Sequence, residues 1–262
     1  MKIFSSRDWA LILGASSGFG VATARELSAR GLNIFGVHLD RRATIHLAEE
    51  AQRDIESTGR RAVFFNINAV DPDRRAEAIS MMKEEAATGS IRVFLHSLAF
   101  ATLRPYFDEG ASITQRQMAM TLEVMANSLV YWVQDLVKAE LLCEGSRVFA
   151  MTSIGSTRVM PAYGATSAAK AALESHIRQL ALELAPRSIT ANSIMAGVTD
   201  TPALRKIPGY EKMMERAARA NPHGRLTTPE DVASTIAVLS LPDTQWMTGN
   251  VIGVDGGEQI TG

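Results

Sequence analysis

This chain predicts an α/β architecture: a doubly wound, seven-stranded parallel sheet with helices on both faces, in one domain spanning residues 1–262. Three observations lead there. Short apolar runs alternate with helix-length amphipathic stretches from one end to the other, the pattern of buried strands joined by helical crossovers. No linker-like stretch divides the chain, although 262 residues with 46% hydrophobic content could also build two small domains. A glycine-rich segment, GASSGFG, follows the first apolar run and opens the first amphipathic one.

The elements follow in order. WALIL precedes a helix over 18–30, NIFGV one over 42–57, AVFFNI one over 72–87 and IRVFLH one over 114–142. SRVFAM precedes a long helix from about 161 to 184, and SITANSI an irregular stretch. A helix over 229–239 has Thr228 as its cap and Pro229 in its first turn, and NVIGV closes the sheet. Right-handed crossovers make such strands parallel, and ligands then bind beyond their carboxyl ends where the winding reverses.

Composition narrows the function. The net charge is −1 and the basic residues are scattered, so neither nucleic acid nor anionic membrane is an expected partner. The single cysteine, Cys143, excludes an internal disulfide framework and a cysteine-cluster metal site, and no metal is expected. The apolar run from Trp9 to Leu13 is too short for a span and is broken at once by glycines, so the expectation is a cytoplasmic protein.

GASSGFG places Gly14, Gly18 and Gly20 in GxxxGxG spacing, with Ser16, Ser17 and Phe19 between them. Glycine lets the backbone approach a pyrophosphate, and the helix start offers amide donors, so this is a Rossmann-type dinucleotide loop. Asp40 follows Gly20 by twenty residues, the distance at which an acid holds the ribose 2′-hydroxyl of NAD. Arg41 and Arg42 instead suit a 2′-phosphate, and because His38 ends a strand of ordinary length the expected cofactor is NADPH, with NADH as the alternative. Asn68 and Ala69, at the end of the third strand, border the adenine.

Ser153 lies seventeen residues before Lys170, and Tyr163 seven before it, within PAYGATSAAK. With GxxxGxG and the closing NVIGVDGG, this resembles the short-chain dehydrogenase/reductase family, whose ordinary motif is YxxxK. The Yx6K spacing, LHSLAFA (95–101) and RVMPAYGATSAAKAALE (158–174) are similar to its divergent enoyl-acyl-carrier-protein reductase branch. Many of that branch carry a second tyrosine where Ser153 stands. The chain looks most like a bacterial subgroup close to the 7α-hydroxysteroid dehydrogenases that keeps serine. The ordinary family's active-site asparagine has no matching residue, Asn127 standing about two positions late.

The chemistry can be argued from geometry. Helix positions four and seven apart return to about 40° and 20° of one face, so Tyr163 and Lys170 can line one site. Moving the tyrosine back three residues shifts its hydroxyl by roughly 4.5 Å along the axis. That suits an enoyl thioester, where hydride goes to the β carbon while charge develops on an oxygen two carbons away. Tyr163 then donates to the enolate, Lys170 holds the nicotinamide ribose and lowers the tyrosine pKa, and Ser153 adds a second donor or orients substrate. His96 is expected to be a strand-end side chain near the cofactor rather than a base.

The resemblance further implies that Ser97, Leu98 and Ala99 flank the nicotinamide half and that AGVTDT, with Gly197, Thr199 and Thr201, closes over the carboxamide. Residues 202–224 form a substrate-covering insert, with Met213 and Met214 facing an acyl chain or only packing the lid, and Arg205, Lys206 and Arg216 facing an acidic carrier or solvent. The implied function is reduction of an enoyl thioester, of fatty acid biosynthesis type, on acyl carrier protein or coenzyme A. A carbonyl, 3-ketoacyl or hydroxysteroid-type reductase and a nucleotide-sensing binding protein remain alternatives. A homodimer, or a homotetramer built from it, is the expected assembly.

Overall fold

The computed structural model describes residues 4–261. Its strands are β1 (Trp9–Leu13), β2 (Asn33–His38), β3 (Ala62–Asn66), β4 (Ile91–His96), β5 (Arg147–Thr152), β6 (Thr190–Ala196) and β7 (Val251–Val254). They form one parallel sheet in the order β3-β2-β1-β4-β5-β6-β7. The winding reverses between β1 and β4, which opens the ligand crevice at their carboxyl ends.

Each face of the sheet has its own core. On one, Ala24 and Leu27 of α1 (Gly18–Ala29), Ile55 of α2 (Ile45–Ser57) and Val232 and Ile236 of α8 (Pro229–Leu239) cover Ala10, Ile12, Ile34 and Val93. On the other, α3 (Pro72–Glu85), α5 (Ser128–Lys138) and α6 (Gly164–Leu184) cover Leu11, Leu13, Phe35 and Phe94. Trp9 and Phe35 stack there at 3.9 Å. Burial of β1 and β2 on both faces explains their unbroken apolar runs. The two edge strands are the exceptions to seven buried strands, β7 with Val251 exposed and β3 with Asn66 exposed. The starts of α3 and α8 are written in the sequence, through Asp71 accepting from Asp73 and Arg74 and a Thr228/Asp231 capping box.

Several boundaries differ from expectation, among them the start of α2, which is Ile45 rather than residue 42. The helix predicted over 114–142 is α4 (Gln115–Leu122), a π-helical turn (Glu123–Asn127) and α5. Apolar periodicity does not register one wider hydrogen-bonded turn. The helix predicted from 161 starts at Gly164, because Ala162 takes a left-handed φ of 58°. β3 stops at Asn66, so Asn68 lies two residues beyond it. The insert carries α7 (Tyr210–Ala220), of which only Ala217 is buried. Among the described residues no helix is long and apolar enough to cross a membrane.

Candidate active site

At the nucleotide end, backbone meets backbone. A β-carbon on Gly14 would collide with the Ser97 carbonyl, and one on Gly20 with the Gly14 carbonyl. Gly14 and Gly18 have φ of 88° and 54°. Ser17, the residue capping α1, makes no side-chain bond to the first-turn amides, which are thus available to an anion. Ser16 is half-buried and Phe19 packs on the core behind α1. Ser97 donates its amide to Leu13 O at 2.9 Å, Leu98 packs on the opposite core, and Ala99 is exposed. From the far side Thr201 Cγ2 comes within 3.5 Å of where a Gly18 β-carbon would stand. That contact folds the 197–201 loop onto the glycine loop, and within it Thr199 Oγ1 donates to Gly197 O at 3.0 Å. A cradle that any β-carbon would fill, at the end of a helix with open amides, fits a dinucleotide pyrophosphate.

The adenosine end contains both expected signals and one unexpected residue. Burial opposes ionisation of Asp40, yet hydrogen bonding from Thr44, Ser16 and His38 holds its carboxyl below the usual carboxylate range. His38 Nδ1 lies 2.8 Å from Asp40 Oδ2. Asn66, which sequence reasoning passed over, clamps the Asp40 backbone at 3.0 Å through both its amide oxygen and nitrogen. The parallel register that sets Asn66 beside His38 was the signal for it. Arg41 and Arg42 are exposed and make no side-chain ion pair or hydrogen bond among the described residues. Asn68 is exposed and holds its own turn, while Ala69 is buried and its carbonyl accepts from Trp132 Nε1 at 2.9 Å.

At the other end of the crevice, Ser153 just after β5 and Tyr163 just before α6 lie side by side, and Lys170 within α6 reaches back to β5. Tyr163 does not lie within the helix: it is the capping residue, with φ −100° and ψ 1°, and its carbonyl accepts from Ser167 N at 2.9 Å. The ring direction is therefore set by the bend at Ala162 and not by helical rise. Burial pushes the Tyr163 phenol up, with Ser153 pulling the other way. This corrects the expectation that Lys170 lowers it. Lys170 is itself buried and donates from Nζ to Met151 O at 2.7 Å. Burial brings its pKa down to about 8, against the opposing charge of Glu174. The ordinary YxxxK position holds Thr166, which is buried with an unpartnered hydroxyl, and the enclosed Ser153 hydroxyl faces the Tyr163 phenol without a well-formed bond.

Gly155 and Gly164 are the residues that sequence reasoning missed here. A β-carbon at 155 would stand 2.6 Å from Tyr163 Cε1 and 3.2 Å from Ser153 Oγ; one at 164 would stand 2.7 Å from the Tyr106 hydroxyl. Ser167 Oγ donates to Gly155 O, tying the start of α6 to this turn. His96 is fully buried, its Nε2 2.8 Å from Ser128 Oγ, which donates to Val124 O. Burial and then Lys170 lower its pKa to about 3, so it stays neutral, consistent with a strand-end side chain. Asn127 is engaged with Glu123 and His176. Over the insert, Met213 and Met214 are half-buried, and Arg205 is held by Asp200 through two bonds of 2.7 and 2.8 Å.

Comparison with known proteins agrees with this geometry. Residues 14–259 match the family model described as Enoyl-(Acyl carrier protein) reductase. The chain is 30% identical to the 1-cyclohexenylcarbonyl-CoA reductase of Streptomyces collinus, over 97% of this chain and 88% of that one. It is 33% identical to the enoyl-[acyl-carrier-protein] reductase [NADH] FabI of Aquifex aeolicus, over 66% of this chain and 64% of that one. Among solved structures, the promiscuous reductase LugOII, which catalyses keto-reduction at C1 during lugdunomycin biosynthesis, superposes with a TM-score of 0.84 at 26% identity, covering 99% of this chain and 100% of that one. The chain therefore belongs to the enoyl-acyl-carrier-protein reductase-like branch of the short-chain dehydrogenase/reductase family and is an NAD(P)H-dependent oxidoreductase.

Proposed function

We propose that the protein reduces the trans-2 double bond of an enoyl thioester, with NADPH as the reductant. The observation that carries this reading is the position of the phenol. Tyr163 stands at the mouth of α6, seven residues before Lys170, and the place an ordinary ketone reductase gives its tyrosine holds Thr166.

A bound nicotinamide supplies the hydride that the β carbon accepts. Tyr163 answers the charge that develops on the thioester oxygen. A phenol kept protonated by burial is a donor ready at neutral pH, and its proton passes to the enolate as the saturated thioester forms. Ser153, with its enclosed hydroxyl beside the same ring, supplies a second donor or orients the thioester. Lys170 would exchange its bond to Met151 O for the ribose hydroxyls, its ammonium then lying beside the phenol. Gly14, Gly18, Gly20 and the start of α1 would hold the pyrophosphate, and Ser97 and the 197–201 loop the nicotinamide half.

NADPH is favoured because Arg41 and Arg42 stand exposed without ion-pair partners just beyond β2, where two guanidinium groups suit a 2′-phosphate. A second reading, NADH, draws on Asp40, whose ionised carboxylate lies beside Ser16 of the glycine loop. The affinities of the two nucleotides decide between them. Replacing both arginines with alanine should weaken NADPH alone, by about 1.5–3 kcal/mol for each charged hydrogen-bonding group lost.

For the reaction, ketone reduction is the alternative, favoured by Ser153 in its ordinary place and by the keto-reducing activity named for LugOII. A panel of enoyl and 3-keto thioesters, on coenzyme A and on acyl carrier protein, tests both the reaction and the carrier. We further place the protein in the cytoplasm as a two-fold dimer or a tetramer. Met120 on α4 and Leu182 on α6, both exposed, give the helical faces an apolar surface for a partner. A monomer seen by light scattering at micromolar concentration would contradict that assembly.

A further inference from the structure

The chain closes in a tight turn that touches two parts of the site at once. Asp255 Oδ1 and Oδ2 accept from the amides of Gly257 and Gln259 at 3.0 and 3.1 Å, with Gly257 in the left-handed region at φ 85°. That turn aims Glu258 back under β6. Its Oε2 accepts from Val198 N at 2.9 Å and lies where a β-carbon on Gly197 would be only 2.7 Å away. The opposite side of the turn holds the end of the lid: Asn221 Nδ2 donates to Asp255 O at 2.8 Å, and Thr261 Oγ1 to Ala220 O. Nothing else among the described residues bonds the Val198 amide. The loop that folds onto the glycine loop through Thr201 is thus held at its start by two bonds, Gly197 N to Val254 O at 3.2 Å and Val198 N to the Glu258 carboxylate, the second being its one side-chain anchor at Val198.

We propose that Glu258 is a positioning residue: it fixes the 197–201 loop against the nicotinamide half of the cofactor and ties that loop to the end of the substrate lid. The carboxylate never meets the reacting atoms. It acts through the Val198 amide, whose placement decides where Val198 and Thr199 lie beside a bound nicotinamide. This role rests on the cofactor reading given above, whereas the anchor itself is a property of the protein without nucleotide.

The test separates the two. In the nucleotide-free protein, E258A should speed amide hydrogen exchange at Val198 by about tenfold, because the bond protecting it is gone. By calorimetry, E258A should weaken NADPH roughly tenfold, the size of one charge-assisted hydrogen bond, and leave 2′-phospho-ADP-ribose, which lacks the nicotinamide, nearly unchanged. If NADH binds the unmodified protein more tightly, NADH and ADP-ribose take their places. E258Q, which retains an acceptor oxygen, should recover most of the affinity. Equal weakening of the whole nucleotide and its fragment, or unaltered Val198 exchange, would overturn the positioning role alone. Faster Val198 exchange in a protein whose unmodified form binds neither nucleotide would overturn the reductase reading and the positioning role with it.

Discussion

Glycine shapes both ends of this crevice, but against different neighbours. In the 14–20 loop the glycines press on backbone: Gly14 on the Ser97 carbonyl and Gly20 on the Gly14 carbonyl. At the entrance to α6, Gly155 and Gly164 press on rings, those of Tyr163 and Tyr106. Backbone has nowhere to go, so the first contact is absolute and its register is fixed by neighbouring residues. A ring can turn, so the second contact sets an orientation. Nucleotide binding belongs to the first kind of contact, and the placement of Tyr163, the proton donor in the function proposed, to the second.

Four changes break or sharpen that contrast, from the largest effect to the smallest. Tyr163→Phe keeps the ring and removes only the donor. It should lower the rate by about 10²–10⁴ with nucleotide affinity nearly kept, as single-turnover kinetics and nucleotide titration would show. If Lys170 serves both ends as proposed, Lys170→Met should lower rate and nucleotide affinity together, while stability moves the other way. Below about pH 8 the folded chain carries a buried ammonium. Between about 8 and the ordinary 10.5 the unfolded chain holds the extra proton, so the stability of the unmodified protein should rise with pH across that window. Relieving that cost, offset in part by loss of the Nζ bond to Met151 O, should make Lys170→Met more stable at pH 7 by on the order of 1 kcal/mol in denaturant unfolding. In the same window the unmodified protein's rate should decline as Lys170 loses its charge.

Gly20→Ala forces backbone apart and should cost about 1–3 kcal/mol in stability, with nucleotide affinity lost as the loop is displaced. Gly155→Ala meets side chains alone, the Tyr163 ring at 2.6 Å and then Ser153 Oγ and Met160 Cε at 3.2 and 3.3 Å. It should lower the rate by roughly tenfold, through a misplaced donor, with nucleotide affinity unchanged. If Gly155→Ala harms nucleotide binding as much as Gly20→Ala does, the two ends are not separable in the way drawn here.

The same contrast explains what the sequence disclosed. Strands, crossovers and the glycine loop were legible because each is a local pattern: an apolar run, a capped helix start, three glycines within seven residues. Ser153, Tyr163 and Lys170 were picked out by their spacing, and the structure brings Ser153 and Tyr163 side by side while Lys170 bonds the Met151 carbonyl. What stayed hidden depends on long-range contacts or on backbone departures that spacing does not reveal. The left-handed Ala162 takes Tyr163 off the helix, and one wider turn at Glu123–Asn127 divides a helix that reads as continuous. Asn66 matters only because β3 lies in register with β2, and Glu258 only because the closing turn folds back under β6. The rise of the Tyr163 pKa, in place of the expected fall, follows from burial, which no spacing shows.

The central claim is that the displaced phenol serves conjugate reduction, and the initial rate of NADPH oxidation by the unmodified protein tests it most directly. A short trans-2-enoyl thioester and the matching 3-keto thioester, compared at equal concentration, form the measurement. The account predicts rapid oxidation with the enoyl substrate and much slower oxidation with the ketone. A preference for the ketone would contradict it and leave a carbonyl reductase in its place.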